Sequence, residues 1–181
     1  MSAPKRTLPG DFIVRNKSAA ALRVDHAGEY GATRIYAGQL AVVKDAASVT
    51  EINHMAAQEA VHLAAFNHIL PAHGVRPTLL LPLWHVGGWV MGAFSAALGT
   101  RAAMACTVAV EEVITEHYNE QLSNGSIDPL LHSTIATFRD EEMEHHAIGL
   151  ANDAEASPVF TPLSTGIRCI CRAAIWLSAR F

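Results

Sequence analysis

Two segments decide the fold because they repeat one pattern: EYGATRIYAGQL, residues 29–40, and EEVITEHYNEQL, residues 111–122. Each begins with a glutamate, has a tyrosine seven residues later, and ends with Gln-Leu three residues after the tyrosine. Glu111 follows Glu29 by 82 residues. A repeat of this length predicts that the chain consists of two related helical halves.

A second repeated pattern, Glu-x-x-His, follows each of these segments. QEAVH in the first half contains Glu59 and His62, and EEMEH in the second half contains Glu142 and His145. The two glutamates are 83 residues apart, so the two halves stay in register to within one residue. Because residues three apart on a helix share a face, each pair can present both side chains to one metal ion.

Together the two halves supply the ligands of a two-metal centre: Glu29, Glu59, His62, Glu111, Glu142 and His145. In ferritin-like di-iron and di-manganese proteins, two helices each supply a glutamate and two others each supply a Glu-x-x-His pair. Carboxylate and imidazole ligands without cysteine suit Fe or Mn better than a structural Zn or an Fe–S cluster. A single Glu-x-x-His pair would be more typical of a solvated helix face. The recurrence in the same order predicts the metal site, inside a ferritin-like four-helix bundle with additional apolar, membrane-associated helices.

Two neighbouring glutamates on the fourth helix, Glu112 and Glu116, are rivals of Glu111 as ligands. The 83-residue offset would make Glu112, rather than Glu111, the counterpart of Glu29. We favour Glu111 because its helical face carries mostly apolar residues and Tyr118, whereas the face of Glu112 carries Glu116 and other polar residues.

The fifth helix has a similar ambiguity. Glu141 and Glu144 flank the proposed pair, and His146 follows it. Only Glu142 and His145 keep the three-residue step found in the first half.

Residues close to the ligands are candidates for supporting contacts, since a ligating imidazole usually donates its other N–H to a carboxylate or carbonyl. These candidates lie next to the ligands or within two turns of them: Asp25, Asp140, Tyr36 and Tyr118. For all four, ordinary helix packing is the alternative. His26 and His117 are weaker candidates.

Composition agrees with an all-α fold. Half of the 181 residues are apolar, yet apolar and polar residues do not alternate as they do in strands, and alanine is abundant. The length fits one domain. The net charge of −4 offers no basic surface and excludes nucleic acid as an expected partner. The three cysteines are an odd number and fit a reduced compartment, where they act as small apolar residues.

Capping and helix-breaking signals predict an irregular segment, 1–17, followed by a single domain, 18–181. The N-terminal signals are Ser18, Ser48 with Glu51, Asp128-Pro129 and Thr161-Pro162. The predicted helices span about 18–47, 48–70, 83–98, 101–122, 129–156 and 161–181.

The metal-ligand residues lie within longer strings that closely resemble the demethoxyubiquinone hydroxylase family of ubiquinone biosynthesis: RVDHAGEYGATRIYAGQ, MACTVAVEEVITEHYNEQL and FRDEEMEHHAIGLANDAE. The likeness extends from about Leu22 to the end of the chain. The resemblance implies O2-dependent hydroxylation of the demethoxyubiquinol ring, giving demethylubiquinol, at a non-haem centre with two Fe ions per chain. It also implies that the six ligands of the family fall on the six residues named above.

The resemblance further implies a polyprenyl quinol substrate and electrons that originate with NADH, directly or through the quinone. No G-x-G-x-x-G follows a predicted strand, so we do not expect a built-in Rossmann site. Gly28, Gly31 and Ala32 around Glu29 either leave room for a flat ring or permit close helix packing. A lipid-presenting partner and a homo-oligomer are further expectations.

One apolar stretch, LLLPLWHVGGWVMGAFSAAL at residues 79–98, is long enough to be a transmembrane candidate. However, ligands lie on both sides of it in sequence, and a crossing would separate them by roughly 30 Å of hydrocarbon. We therefore expect a helix lying at the membrane surface, with Trp84 and Trp89 near the interface.

The segment 163–181 is a second candidate for membrane contact, because it lacks acidic residues and carries Arg168, Arg172, Arg180 and Trp176. The alternative for both stretches is that they cover the bundle core or an oligomer interface. The first residues resemble neither a secretory signal nor a transit peptide. We expect peripheral attachment to the cytoplasmic face of a bacterial inner membrane, or alternatively to the matrix face of the mitochondrial inner membrane.

Other functions fit the same ligands. A ferritin-like peroxidase or manganese catalase would explain the metal site but not the apolar stretch. An iron-storage or iron-binding module without quinone chemistry, and a membrane-associated scaffold with a structural metal, are the remaining alternatives.

Overall fold

The computed structural model describes residues 17–123 and 129–181, and within those ranges the chain forms six α-helices and no strand. The helices are Lys17–Val42 (α1), Ala46–Ala72 (α2), Leu81–Ala97 (α3), Thr100–Ser123 (α4), Pro129–Ala151 (α5) and Phe160–Ser178 (α6). The prediction of an all-α fold is confirmed. The predicted irregular segment, apart from Lys17, and the predicted cap Asp128 lie outside the described residues.

The break between α1 and α2 differs from the prediction. We expected α1 to reach about Ala47 and Ser48 to cap the next helix, but α1 ends at Val42 and Asp45 is the cap. The Asp45 carboxylate accepts hydrogen bonds from the Ser48 backbone N–H at 2.9 Å and from its hydroxyl at 2.7 Å. The first of these bonds satisfies one of the free N–H groups in the first turn of α2. Ser48 therefore lies inside that turn and does not cap it.

The later boundaries also differ. α5 ends at Ala151 rather than near Ala156, because Asp153 adopts a left-handed backbone conformation with φ of 60°. A short 3₁₀ turn, Ala154–Ala156, follows. α6 begins one residue before Thr161, which therefore lies inside the helix rather than capping it.

Helices α1, α2, α4 and α5 surround the centre of the molecule, with α3 packed mainly on α1 and α6 mainly on α4. Glycines make the approach of α3 to α1 possible. A Cβ atom on Gly92 would collide with the backbone carbonyl of Ile35, and one on Gly38 would collide with the carbonyl of Trp89. Close helix packing is therefore the role of this glycine pair.

Two apolar clusters lie at the two ends of the four-helix arrangement. One contains Ile52 and Met104, and the other contains Phe66 and Ile135, all of them buried. Fully burying such side chains stabilises the fold by roughly 1.5–3 kcal/mol each. That stabilisation offsets part of the cost of placing a charged cluster between them.

The end of α6 is tied to α1 and to the segment that precedes α3. The buried guanidinium of Arg23 donates to the carbonyls of Ala179 at 3.2 Å and Arg76 at 3.3 Å. The indole N–H of Trp84 donates to the Ser178 hydroxyl at 3.0 Å. These bonds fix α3 and α6 as the two walls of a cavity beside α1.

In the ranges that the structure describes, we find no helix with the length and hydropathy required to cross a membrane. The apolar stretch at 79–98 forms the 17-residue α3 and its flanking residues.

Candidate metal centre

Six side chains converge at the centre of the bundle, each of them no more than 1% exposed: Glu29, Glu59, His62, Glu111, Glu142 and His145. They form two overlapping groups, in each of which the potential ligand atoms lie within 4.8 Å of one another. Glu29 and His62 belong to one group, Glu111 and His145 to the other, and Glu59 and Glu142 to both. The cluster therefore offers two adjacent positions for metal ions that share two carboxylates.

The Nδ1 atoms of both imidazoles face these carboxylates. Nδ1 of His62 lies 3.2 Å from Glu29 Oε2 and 3.1 Å from Glu142 Oε1. Nδ1 of His145 lies 3.2 Å from Glu59 Oε1 and 3.2 Å from Glu142 Oε2. Nδ1 is thus the atom that each imidazole presents to the centre.

The opposite ring nitrogens are held by side chains outside the cluster. Nε2 of His62 lies 2.5 Å from Oε2 of Glu141, and Nε2 of His145 lies 2.9 Å from Oε1 of Gln58. An N–H at Nε2 that donates to these oxygens leaves the Nδ1 lone pair directed at the cluster. The ring of Phe138 stacks on His62, with the centroids 4.0 Å apart.

Neither partner was predicted from the sequence, where Glu141 is only a rival ligand and Gln58 is not a candidate. Both directly precede the glutamate of a Glu-x-x-His pair, 83 residues apart, so the repeat itself carried the signal. The role suggested for Asp140 is wrong, because its side chain is 65% exposed and pairs with Arg139 at 2.6 Å.

Each of the two repeated tyrosines donates a hydrogen bond to a ligand glutamate in the other half of the chain. The hydroxyl of Tyr36 on α1 donates a 2.6 Å hydrogen bond to Oε1 of Glu111 on α4. The hydroxyl of Tyr118 on α4 donates to Glu29 on α1. Burial and the nearby carboxylates raise the pKa of both tyrosines well above the ordinary value, so both remain donors.

The two repeated glutamines, three residues after the tyrosines, also make equivalent contacts with the other half of the chain. Gln39 donates to the Thr107 hydroxyl at 3.3 Å, and Gln121 donates to Asp25. Asp25 also lies 3.0 Å from Nε2 of His117, so it bonds to these two residues rather than to a ligand imidazole. His26, the other weak candidate, has its Nε2 atom 3.1 Å from the Asn67 side chain.

Burial and mutual repulsion control the protonation of the cluster. Burial, followed by the charges of Glu142 and Glu29, raises the pKa of Glu59 well above its ordinary value. Burial also acts to raise the pKa of Glu142, but the close contacts with His145 and His62 outweigh it and lower that pKa to about 2. For His62, burial acts to lower the pKa, yet the same type of contact with Glu142 and Glu29 raises it to about 11. Without cations the cluster therefore holds protons.

The residues fit a pair of divalent cations. Both carboxylate oxygens of Glu59 and one each of Glu111 and Glu142 are buried without a hydrogen-bond partner. Nδ1 of His145, although close to Glu59, makes no hydrogen bond. Unpaired buried acceptors are costly, so native proteins leave few of them. Four carboxylates carry four negative charges, which two divalent ions would balance.

The rival glutamates on α4 lie at the surface. Glu112 pairs with Arg168 and Glu116 pairs with Arg172, each at 3.0 Å, and both ion pairs join α4 to α6. Glu111 is the residue of this helix that faces the cluster. Two of the three arginines that we expected at a lipid surface, Arg168 and Arg172, thus form ion pairs within the protein.

An apolar cavity of about 520 Å³ lies between α1, α3, α4 and α6 and reaches Glu29 and Tyr118. Gly28 and Gly31 line it, and a Cβ atom on either would have nothing within 4 Å. These two glycines leave open space beside the cluster, in contrast to the close packing at Gly38 and Gly92. His117 and Asp25 line the same region.

A six-helix protein with four carboxylates and two imidazoles buried among four of its helices is a helical protein able to bind metal in its core. Residues 16–178 match the family described as "Ubiquinone biosynthesis protein COQ7", and the chain belongs to that family. The resemblance seen in the sequence is confirmed.

Three relatives match between 88% and 96% of the chain. The protein named "3-demethoxyubiquinol 3-hydroxylase" of Rhodospirillum rubrum is 51% identical over 175 residues, 96% of this chain and 82% of the relative. The human "NADPH-dependent 3-demethoxyubiquinone 3-hydroxylase, mitochondrial" is 50% identical over 94% of this chain and 81% of its own length. The "5-demethoxyubiquinone hydroxylase, mitochondrial" of Saccharomyces cerevisiae is 41% identical over 88% of this chain and 76% of its own length.

Proposed function

We propose that this protein is a 3-demethoxyubiquinol 3-hydroxylase that uses O2 at a di-iron centre to form demethylubiquinol in ubiquinone biosynthesis. The observation that carries the proposal is the apolar cavity that ends at Glu29 and Tyr118, beside a cluster able to bind metal. Family membership and the names of the relatives support the same reaction. A peroxidase or an iron-storage protein would not need an apolar cavity at its metal ligands.

In this proposal α1, α2, α4 and α5 form a ferritin-like bundle around two Fe ions. Glu29 and His62 would hold one ion and Glu111 and His145 the other, with Glu59 and Glu142 available to either. Two bound ferrous ions would supply the two electrons that O2 needs for this hydroxylation, in which one oxygen atom is inserted into a ring C–H bond and the other, with two protons, is released as water.

The protein's own side chains orient the ligands and exclude water. Tyr118 and Tyr36 each hold a ligand carboxylate through a hydrogen bond. The cavity wall is almost entirely apolar, which keeps bulk water from the reacting ring. His117 lines the cavity with its Nε2 atom near Asp25, and we assign its Nδ1 atom to hydrogen-bond a quinol hydroxyl.

The two electrons consumed in each turnover come from a reduced nicotinamide in this proposal. The resemblance implied NADH, whereas the human relative is named as NADPH-dependent. Either donor can act directly or through the quinone.

The outer faces of α3 and α6 supply the proposed contact with a membrane surface. Large apolar side chains are exposed on both helices: Leu83, Val86, Trp89, Val90, Phe94, Ile170 and Trp176. The guanidinium of Arg180 lies 4.0 Å from the ring of Trp176, where it can also meet anionic lipid. Since these helices wall the cavity, a polyprenyl tail can remain in lipid while the ring reaches Glu29.

We propose peripheral attachment to the cytoplasmic face of a bacterial inner membrane, with the mitochondrial matrix face as the alternative. Bacterial and mitochondrial relatives both exist. The lipid-presenting partner and the homo-oligomer stay predictions.

The proposal is tested by filling the cavity without touching a ligand. Gly31→Trp places a large ring in open space beside Glu29. We expect Fe²⁺ uptake and helix content to persist, while kcat/KM for demethoxyubiquinol falls at least about tenfold. Ala147→Trp on the exposed side of α5 is the matched control. Full activity in Gly31→Trp would exclude this cavity as the quinol site.

A further inference from the structure

Gln58 and Glu141 occupy equivalent positions in the two halves but differ in charge. Each lies directly before the glutamate of a Glu-x-x-His pair, and each contacts Nε2 of the histidine from the other half. His62 is thereby held by a carboxylate and His145 by a neutral amide. This exchange breaks the symmetry of an otherwise matched ligand set.

We propose that Glu141 is a positioning residue that makes the Glu29–His62 position bind a divalent metal ion more tightly than the Glu111–His145 position. The inference rests on the two-metal site of the proposed function and adds an inequality between its two positions.

The contacts of the two histidines differ in strength. A hydrogen bond from an imidazole N–H to a carboxylate is stronger than one to an amide oxygen. It leaves more negative charge on the ring and makes the opposite nitrogen a better metal ligand. Because the partner of His62 is the carboxylate of Glu141 and the partner of His145 is the amide of Gln58, the His62 ring gains more as a ligand.

The two rings are also held differently. Consecutive residues contact the opposite nitrogens of each ring, Glu141 and Glu142 for His62 and Gln58 and Glu59 for His145. In addition, Phe138 stacks on the His62 ring with the centroids 4.0 Å apart, whereas Tyr36 lies edge-on to His145 at 6.2 Å. A ligand that is already oriented loses less conformational entropy when metal binds.

Glu141 also lies partly in contact with solvent. Its side chain is 34% exposed while His62 is fully buried, so the carboxylate keeps contact with solvent as it supports a ligand in a low-dielectric interior. The apolar cavity approaches the cluster from the other side, at Glu29. The tighter metal position is thus the one that faces the quinol.

The test measures Fe²⁺ affinity at each position separately, under anaerobic conditions and at one pH. His145→Ala leaves the Glu29–His62 position intact, and His62→Ala leaves the other position intact. We expect a single Fe²⁺ to bind about tenfold more tightly to His145→Ala than to His62→Ala. Adding Glu141→Gln, which keeps a hydrogen-bond acceptor and removes only the charge, should abolish that advantage in His145→Ala and change nothing in His62→Ala.

Two further variants separate this role from a merely structural one. Gln58→Glu added to His62→Ala should raise Fe²⁺ affinity by a similar factor, because His145 then gains a carboxylate partner. Glu144→Gln makes the same charge change on α5 at a residue whose contact is the exposed His54, and it should leave both affinities unchanged. Circular dichroism of each metal-free variant verifies that its helices are retained.

Equal Fe²⁺ affinities in the two single-position proteins, or an equal effect of Glu141→Gln in both, would overturn the inference. If the wild-type protein meanwhile binds two Fe²⁺ and hydroxylates demethoxyubiquinol, the proposed function stands and only the inequality fails. A wild-type protein that binds no Fe²⁺ would overturn both.

Discussion

The hydroxyl of Tyr36 donates a 2.6 Å hydrogen bond to Oε1 of Glu111, a residue of the opposite half of the chain. Tyr118 makes the corresponding bond to Glu29. Each half of the repeat therefore orients the lone glutamate of the other half. The exchange explains why tyrosine recurs seven residues after glutamate in both segments, although neither tyrosine contacts the glutamate of its own helix.

Removing the Tyr36 hydroxyl should destabilise the metal-free protein. Tyr36→Phe leaves a buried Glu111 oxygen without its donor, and we expect the free energy of unfolding to fall by about 1–3 kcal/mol. Urea denaturation measures this change. Tyr30→Phe is the control, because that hydroxyl contacts His85 at the exposed surface, 2.7 Å away. An equal loss in both variants would contradict the assigned role of the Tyr36–Glu111 bond.

The register of α4 predicts opposite outcomes for two adjacent glutamates. Glu111→Gln should weaken metal binding, since it removes a charge from the cluster. Glu112→Gln should cost no more than about 1 kcal/mol of stability, because it removes only a partly exposed ion pair with Arg168. Fe²⁺ titration and thermal unfolding of both variants provide the comparison. Equal loss of metal would mean that Glu112 also contributes to the site.

His145→Ala should lose one metal position and hydroxylase activity while remaining largely helical. The imidazole contributes a ligand atom to a site whose surroundings are held by two separate apolar clusters. Metal content, activity and far-ultraviolet circular dichroism check the three parts of this prediction. Full activity would remove His145 from the centre.

The metal-free protein should become less stable as pH rises from about 6 to about 9. The pKa of Glu59 is raised above its ordinary value, and that of His62 is raised from 6.5 to about 11, so the folded state binds more protons than the unfolded chain over this range. The contribution of His62 is complete below pH 6.5 and is lost as pH approaches its folded-state pKa.

Divalent cations should reverse this trend, because they replace the protons as partners of the carboxylates. Melting temperatures with and without anaerobic Fe²⁺ at several pH values provide the measurement, and the increase in melting temperature that Fe²⁺ causes should grow as pH rises. A metal-free protein that gains stability between pH 6 and pH 9 would contradict the proton-holding cluster.

On the acid side, Glu142 should destabilise the metal-free protein as pH falls. Its pKa in the folded protein is lowered from 4.5 to about 2, so the stability that its charged form contributes is lost as pH falls from 4.5 towards 2.

Two glycines of α3 should respond in opposite ways to alanine. Gly92→Ala would force a Cβ atom against the carbonyl of Ile35 and should cost about 1–3 kcal/mol. In Gly87→Ala the added Cβ atom has no other atom within 4 Å, so the substitution should stabilise the helix by up to about 1 kcal/mol. Thermal unfolding of the pair checks this, and similar effects at both positions would contradict the close approach of α3 to α1.

Much of the metal centre could be predicted from the sequence because the same ligand pattern, a glutamate followed by Glu-x-x-His, occurs in both halves of the chain. All six proposed ligands lie in one buried cluster, and the choice of Glu111 over Glu112 followed from the polarity of the two helical faces. An all-α fold followed from the lack of alternation and the long segments between breakers.

Other features depend on contacts that sequence periodicity does not encode. The left-handed Asp153 ends α5 earlier than the apolar pattern suggests. The cavity arises from the way α3 and α6 lie against α1 and α4. In the sequence, Gly28 and Gly31 indicated only that there is space near Glu29. The Nε2 partner of each ligand histidine lies on the other Glu-x-x-His helix, a contact that proximity along one helix does not reveal.

A single-turnover experiment with ¹⁸O2 tests the central claim most directly. The protein is loaded with ferrous iron under anaerobic conditions, mixed with demethoxyubiquinol and exposed to the labelled gas, and the quinone is followed by mass spectrometry. We predict one ¹⁸O atom on the ring of the product and none when Glu142→Ala replaces the wild type. Unlabelled, unchanged quinone from a fully iron-loaded wild-type sample would contradict the proposed hydroxylase function.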